Sequence, residues 1–146
     1  MDTLYGQDRR SLRDIFFRAW RKHLHRQPLE GVETRVVAVA EQHPEYHTLL
    51  ADPESGADHD WPPELGQTNP FLHLALHIAI DEQLAVDRPP GVRTQYLRLR
   101  AASPDDHAAQ HRMMDCLGEV LWQAQRRGQP PSESDYLDCL TRLAPR

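Results

Sequence analysis

The segment Phe71–Ile80, with the sequence FLHLALHIAI, constrains the fold more than any other part of the chain. Thr68-Asn69-Pro70 precedes it, and a capping residue followed by proline is typical of a helix start. The helix that it predicts carries no formal charge on any face, and its only polar side chains are His73 and His77. A helix that is apolar all round belongs in the centre of a fold, so other helices must cover it.

The remaining periodic segments also predict helices. Pro44 disfavours helical geometry at His43, so PEYHTLL is expected to start a short separate or kinked helix. The stretch Asp52–Gln67 is rich in Pro, Gly and Asp and is expected to be a loop. Helices are predicted from about Ser11 to His25, Val32 to Gln42, Pro70 to Asp87 and Val92 to Ala102. Another begins after a capping serine at Ser103 and continues to about Arg127, where it stops before Gly128, and a last short helix is capped by Ser132.

These segments predict an all-α protein, a helical bundle of four main helices with one or two short ones. At 146 residues the chain is expected to form a single domain, residues 1–146, with its own core. No apolar run approaches the roughly 20 residues of a transmembrane helix, and the N-terminus lacks the apolar stretch of a signal peptide. We therefore expect a cytoplasmic protein with no membrane partner, in which Cys116 and Cys139 are free thiols.

Histidines form the clearest functional pattern. Nine histidines are present, and three pairs are spaced by four residues: His43 and His47, His73 and His77, His107 and His111. Residues four apart share a face of a helix, and nine histidines placed at random would give about half of one such pair. A divalent transition metal satisfies stacked, buried imidazoles directly. If the two long helices face each other, four nitrogens could converge on one ion.

The sequence therefore predicts metal ligation by His73, His77, His107 and His111, with His47 as a further candidate. His47 and His43 form the weaker pair because Pro44 interrupts the helix between them, and His43 is expected to cap the next turn. The alternative is that these histidines are packed polar groups whose ring nitrogens bond to carbonyls or carboxylates.

Four carboxylates follow the histidine pairs on the same predicted helices: Asp81, Glu82, Asp115 and Glu119. Each is a candidate ligand, a group that orients an imidazole, or part of a solvated helix face. The spacing differs from H-E-x-x-H, because Leu74 and Ala108 follow the first histidine of each pair, so a zinc-protease mechanism lacks its general base. Zinc or iron fits the ligand set best, and haem held by axial histidines is less favoured.

The sequence does not decide whether the protein is an enzyme. An open coordination position would activate water or dioxygen, whereas a closed four-histidine site would indicate storage, sensing or a structural role.

An alternative function is based on the basic first helix. Residues 1–28 hold seven basic and three acidic side chains, and the rest of the chain is acidic. Such a helix could recruit an acidic protein or RNA, or it could dock on its own acidic remainder. Docking on its own domain is the favoured interpretation, and one basic helix is weak support for nucleic-acid binding. A protein partner or a second copy of the chain is the alternative. The candidate residues, expected to face outward, are Arg13, Arg18, Arg21 and Lys22.

Several long motifs carry a family resemblance: GQTNPFLHLALHIAI, DRPPGVR, HRMMDCLGEVLWQAQRRGQPP and HPEYHTLL. In these motifs the chain resembles, over nearly its whole length, a bacterial family catalogued as domain of unknown function 1841. The resemblance implies a small bacterial cytoplasmic protein. It implies no activity, and therefore no catalytic residue.

Overall fold

A computed structural model describes residues 9–57, 59–61 and 69–143, and in these residues the only regular elements are helices. The all-α prediction is confirmed. The elements are α1 (Arg9–Leu24), α2 (Val32–Glu41), a 3₁₀ turn (Pro44–Tyr46), α3 (His47–Leu50), α4 (Pro53–Gly56), α5 (Pro70–Val86), α6 (Val92–Ala101), α7 (Asp106–Arg127) and α8 (Glu133–Leu143). None of these helices is long and apolar enough to cross a membrane.

The chain divides into two compact units, Met1–Ile78 and Ala79–Arg146, and the division falls within α5. The first unit contains α1 to α4 and the first half of α5. The second contains the other half of α5 and α6 to α8. The prediction that residues 1–146 form a single domain stays a prediction.

The core of the first unit forms where α1 packs on α2 and α3. The rings of Phe16 and Phe17 lie 5.8 and 5.4 Å from that of Phe71, which comes from the start of α5. Apolar residues on α1 and α2 recur at three- and four-residue spacing, and these stripes are the buried faces. The fully or nearly fully buried residues include Phe16, Ala19, Val36, Ala40, Leu74 and Ile78.

Arg13 corrects one prediction, because it is buried with 3% of its surface exposed and does not face outward. Its Nη1 donates to the carbonyls of Gly56, Ala57 and His59 at 3.0, 3.1 and 2.7 Å. Its guanidinium also lies over the Trp61 ring. Position 13 is on the buried stripe of α1, and these acceptors compensate the burial of its charge. Arg13 is therefore no longer a candidate for binding a partner.

The second unit is built from α6, α7 and α8, which pack against one another. Its buried residues include Val92, Leu99, Met113, Leu117 and Leu140. Gly128 ends α7 with a φ of 62°, a left-handed conformation that favours glycine, as the sequence predicts.

Cys116 and Cys139 form a disulfide, so the prediction of free thiols is wrong. The pair joins α7 to α8, with the two Cα atoms 5.8 Å apart. The 23-residue separation of the cysteines in sequence gave no sign of this pairing, which depends on how the two helices pack. The cytoplasmic location stays a prediction.

Two local predictions also differ from the structure. Asp105, and not Ser103, caps α7: its side chain accepts from the Ala108 backbone N–H at 2.8 Å. Ser103 instead donates its hydroxyl to the Leu99 carbonyl at the end of α6. The expected loop Asp52–Gln67 begins with the one-turn helix α4, and its residues 58 and 62–68 lie outside the described residues.

Candidate metal centre

Three imidazole rings come together in the first unit: His43, His73 and His77. The ring centroids lie 4.8 Å apart for His43 and His73, 4.9 Å for His43 and His77, and 5.0 Å for His73 and His77. Only 2% of His43 and 1% of His77 is exposed, and His73 is half-buried. We call these three residues the histidine triad. Each has a ring nitrogen that can bind a metal when it is deprotonated.

His43 is positioned by the C-terminal end of α2. Because Pro44 follows, His43 leaves the helical conformation, with φ −128° and ψ 70°. Its Nδ1 lies 2.8 Å from the Val39 carbonyl, one of the terminal carbonyls that a helix leaves without an internal partner. A carbonyl only accepts, so Nδ1 carries the proton and Nε2 of the neutral ring carries the lone pair. Tyr46 stacks on the ring and fixes its plane.

His73 and His77 are positioned by α5, whose start is set by Asn69. The Asn69 side chain accepts from the backbone N–H groups of Phe71 and Leu72 at 2.9 and 3.2 Å, as the predicted cap requires. One turn separates the two histidines, so their rings share one face of α5. Nε2 of His73 lies 3.0 Å from Nε2 of His43. Two nitrogens on one tetrahedral zinc ion, at bond lengths of about 2.0–2.1 Å, lie roughly 3.3 Å apart.

The sequence model of the family described as domain of unknown function (DUF1841) matches residues 8–142. The chain belongs to this family. No curated protein and no solved structure is detectably similar to the chain. Membership of the DUF1841 family supplies no activity.

His47, the further ligand candidate in this DUF1841 chain, lies apart from the triad. Its Nε2 is 2.8 Å from the Ala40 carbonyl, and its ring centroid is 4.4 Å from that of Trp20. In the HPEYH motif, His43 lies in the triad and also holds the N-cap position of the Pro44–Tyr46 turn, whereas the His47 ring bonds near the end of α2. Metal ligation by His47 stays a prediction. Pro44 already indicated a separate position for His43, because the residue before a proline leaves the helical conformation.

His107 and His111 lie in the second unit, in the first turns of α7. Their ring centroids are 4.1 Å apart, and a ring nitrogen of each lies within 4.8 Å of one on the other. Both are half-buried. Helical spacing of four residues therefore brings the two rings together in this pair, as it does for His73 and His77.

The carboxylate candidates take different places in the second unit. Asp81 accepts from the side-chain amide of Gln110 at 2.8 Å, and Glu82 is half-buried. Asp115 and Glu119 are exposed, and Glu119 accepts from Gln123. For Asp115 and Glu119 the solvated helix face is therefore the interpretation that the structure favours.

The basic face of α1 contacts an acidic residue of its own unit. Lys22 donates to the buried Glu33 at 2.9 Å, and Arg18 lies 3.5 Å from the same carboxylate. The hydrogen bond from Lys22, and after it the one from the Glu30 backbone, lowers the pKa of Glu33. Arg21 is exposed. A partner for this face stays a prediction, now limited to Arg18, Arg21 and Lys22.

Proposed function

We propose that this DUF1841 protein binds a divalent transition-metal ion through the histidine triad. The observation that carries the proposal is the mutual approach of three imidazoles, two of them buried, with Nε2 of His43 and Nε2 of His73 only 3.0 Å apart. Burying three imidazoles side by side costs free energy unless their nitrogens have partners, and a metal ion serves several at once.

The hydrogen bond between His43 and Val39 supports metal binding in a second way. Histidine ligands of metals usually donate their other ring N–H to a carbonyl or carboxylate, which fixes the tautomer and makes the ligating nitrogen more basic. His43 makes such a bond to the Val39 carbonyl. The lone pair of His43 Nε2 is therefore oriented for metal binding before an ion binds.

Three neutral imidazoles favour zinc or ferrous iron among the common ions. A three-histidine site with a bound water is the ligand arrangement of many catalytic zinc sites, and there the metal lowers the pKa of that water. A fourth protein ligand would close the site and favour storage, sensing or a structural role. The sequence-based prediction that His107 and His111 bind the same ion belongs to this second case.

Elemental analysis of untagged protein, purified without chelator, tests the proposal. We expect near-stoichiometric metal, lost in the H43A and H77A variants and weakened in H73A. The matched control is H47Q, which changes the other histidine of the HPEYH motif and keeps a side-chain donor for the Ala40 carbonyl. H47Q should retain the metal.

The number of ions and the spectrum of a cobalt-substituted sample extend this test. If His107 and His111 share the ion, the double variant H107A/H111A changes the intensity of the cobalt absorption bands, which reports coordination number. If they hold their own ion, the wild type binds two and the double variant one. If the wild type takes up no metal on reconstitution, the triad is excluded as a metal site. The same holds if the H43A and H77A variants bind metal as well as the wild type does.

A further inference from the structure

The disulfide between α7 and α8 borders a cavity of about 270 Å³ in the second unit. Cys139 lines this cavity, whereas Cys116 has only 1% of its surface exposed and lies in the core beneath it. A thiol that attacks a disulfide must reach one of its sulfurs along an accessible path. Cys139 lines the cavity and Cys116 does not, so we expect attack at Sγ of Cys139 and not at Sγ of Cys116.

The side chains around Cys139 carry charges of both signs. Asp135, Cys139 and Arg142 follow one another at helical spacing on one face of α8, and Glu119 and Arg127 come from α7. The cavity therefore presents two guanidinium groups and two carboxylates. The neutral polar side chains of Gln123 and Gln129 also line the cavity. A ligand with both a carboxylate and an ammonium group can pair with both kinds of charge at once.

We propose that this cavity binds a low-molecular-weight zwitterionic thiol, of the amino-acid or short-peptide class, which exchanges with the Cys116–Cys139 disulfide. The ligand thiolate attacks Sγ of Cys139 and forms a mixed disulfide. The bond to Cys116 breaks, and Cys116 leaves with the electron pair and takes a proton from water. A second thiol attacks the mixed disulfide, releasing the oxidised ligand and the Cys139 thiol. Two ligand thiols are oxidised and one protein disulfide is reduced.

The buried environment of Cys116 favours the disulfide over the reduced dithiol. The thiolate would form among buried apolar neighbours such as Met113 and Leu117, and desolvation disfavours a thiolate there. A poor leaving group slows the opening of the disulfide. At equilibrium, a protein that does not stabilise the Cys116 thiolate does little to stabilise the reduced dithiol. The dithiol should therefore form only at a high ratio of reduced to oxidised ligand, so the bond reports that ratio.

The test compares two thiols on the oxidised, full-length chain. Glutathione carries carboxylate and ammonium groups, and 2-mercaptoethanol carries neither. Opening is followed by mass spectrometry after alkylation, with each rate corrected for the thiolate fraction at the assay pH. We expect glutathione to react faster, and R142Q and R127Q to slow glutathione about three- to tenfold while leaving 2-mercaptoethanol unchanged.

Arg126 provides the matched control, since it neighbours Arg127 but lies over the Trp122 ring and does not line the cavity. R126Q should leave both rates unchanged. Arg127 is exposed at the end of α7, so R127Q keeps the test usable if R142Q folds poorly. Equal corrected rates for the two thiols in the wild type, or an equal response of both thiols to R127Q, would overturn the proposal. So would a disulfide that glutathione leaves closed in the folded protein.

Discussion

Replacement of Arg13 by methionine (R13M) removes a buried cation that holds the end of α4 and the following segment against α1. The lost hydrogen bond to the Gly56 carbonyl is buried, and a bond from a charged donor contributes about 1.5–3 kcal/mol. The bonds to Ala57 and His59 are partly buried, so water recovers most of their value. Loss of the cation–π contacts adds about 1 kcal/mol.

These contributions sum to about 2.5–4 kcal/mol, and methionine recovers some apolar contact in the same space. We therefore expect R13M to lower the free energy of unfolding by about 2–3 kcal/mol. For a chain of this size that is a decrease in Tm of roughly 10 °C. Urea unfolding followed by circular dichroism and by tryptophan fluorescence measures the change, and Trp61 reports directly on the segment that Arg13 binds. R13K, which keeps the charge but not the planar fork, should lose less.

R18M is the control on the same helix. Arg18 is 46% exposed and pairs with Asp14 and Glu33 at 3.5 Å, so its loss should cost less than about 1 kcal/mol. If R13M and R18M unfold at the same urea concentration, Arg13 contributes no more stability than a surface residue. That result would refute a large contribution from its buried hydrogen bond to the Gly56 carbonyl.

Three further perturbations have defined outcomes. The C116A/C139A double variant should lose about 3 kcal/mol of unfolding free energy, because the disulfide closes a loop of 23 residues; equal urea midpoints would contradict this. G118A should gain about 0.5–1 kcal/mol by the same assay, since a Cβ at Gly118 meets no described atom within 4 Å. The pKa of Glu33 is lower in the folded chain, so the stabilisation is present at neutral pH and is lost as the pH falls below about 4.3. The stability difference between wild type and E33Q should therefore shrink across that range.

The helices were predictable because their signals are local. Apolar spacing placed the elements, Asn69 placed the start of α5, and Gly128 placed the end of α7. Where two capping residues lie close together, as Ser103 and Asp105 do, sequence alone did not decide which one the helix uses. The choice depends on the Ser103 hydroxyl, which the carbonyl of Leu99 accepts at the end of α6.

Arg13 was misplaced although its position carried a signal. It lies three, four and seven residues before Phe16, Phe17 and Trp20, so the helical period puts it on the buried stripe. Its charge argued for an outward position, and that rule fails when a partner supplies acceptors. Those acceptors are carbonyls more than 40 residues away in sequence, which no local pattern reveals.

The candidate site was predictable only in part. His73 and His77 were identified because helical spacing is enough to bring them together. His43 contacts them across 30 residues of sequence, and no local pattern in the sequence predicts that contact. The disulfide has the same limitation, since cysteine spacing carries no information on which helices pack.

His43 and His47 both bond to the last turn of α2, through the Val39 and Ala40 carbonyls. Helix ends fray, and a frayed turn would release the His43 ring from the orientation that prepares its Nε2. An ion bound at that nitrogen would therefore reduce fraying of the last turn of α2. Slower hydrogen exchange at the His43 amide, which bonds to the Ala40 carbonyl, would then measure occupancy of the triad from the backbone alone.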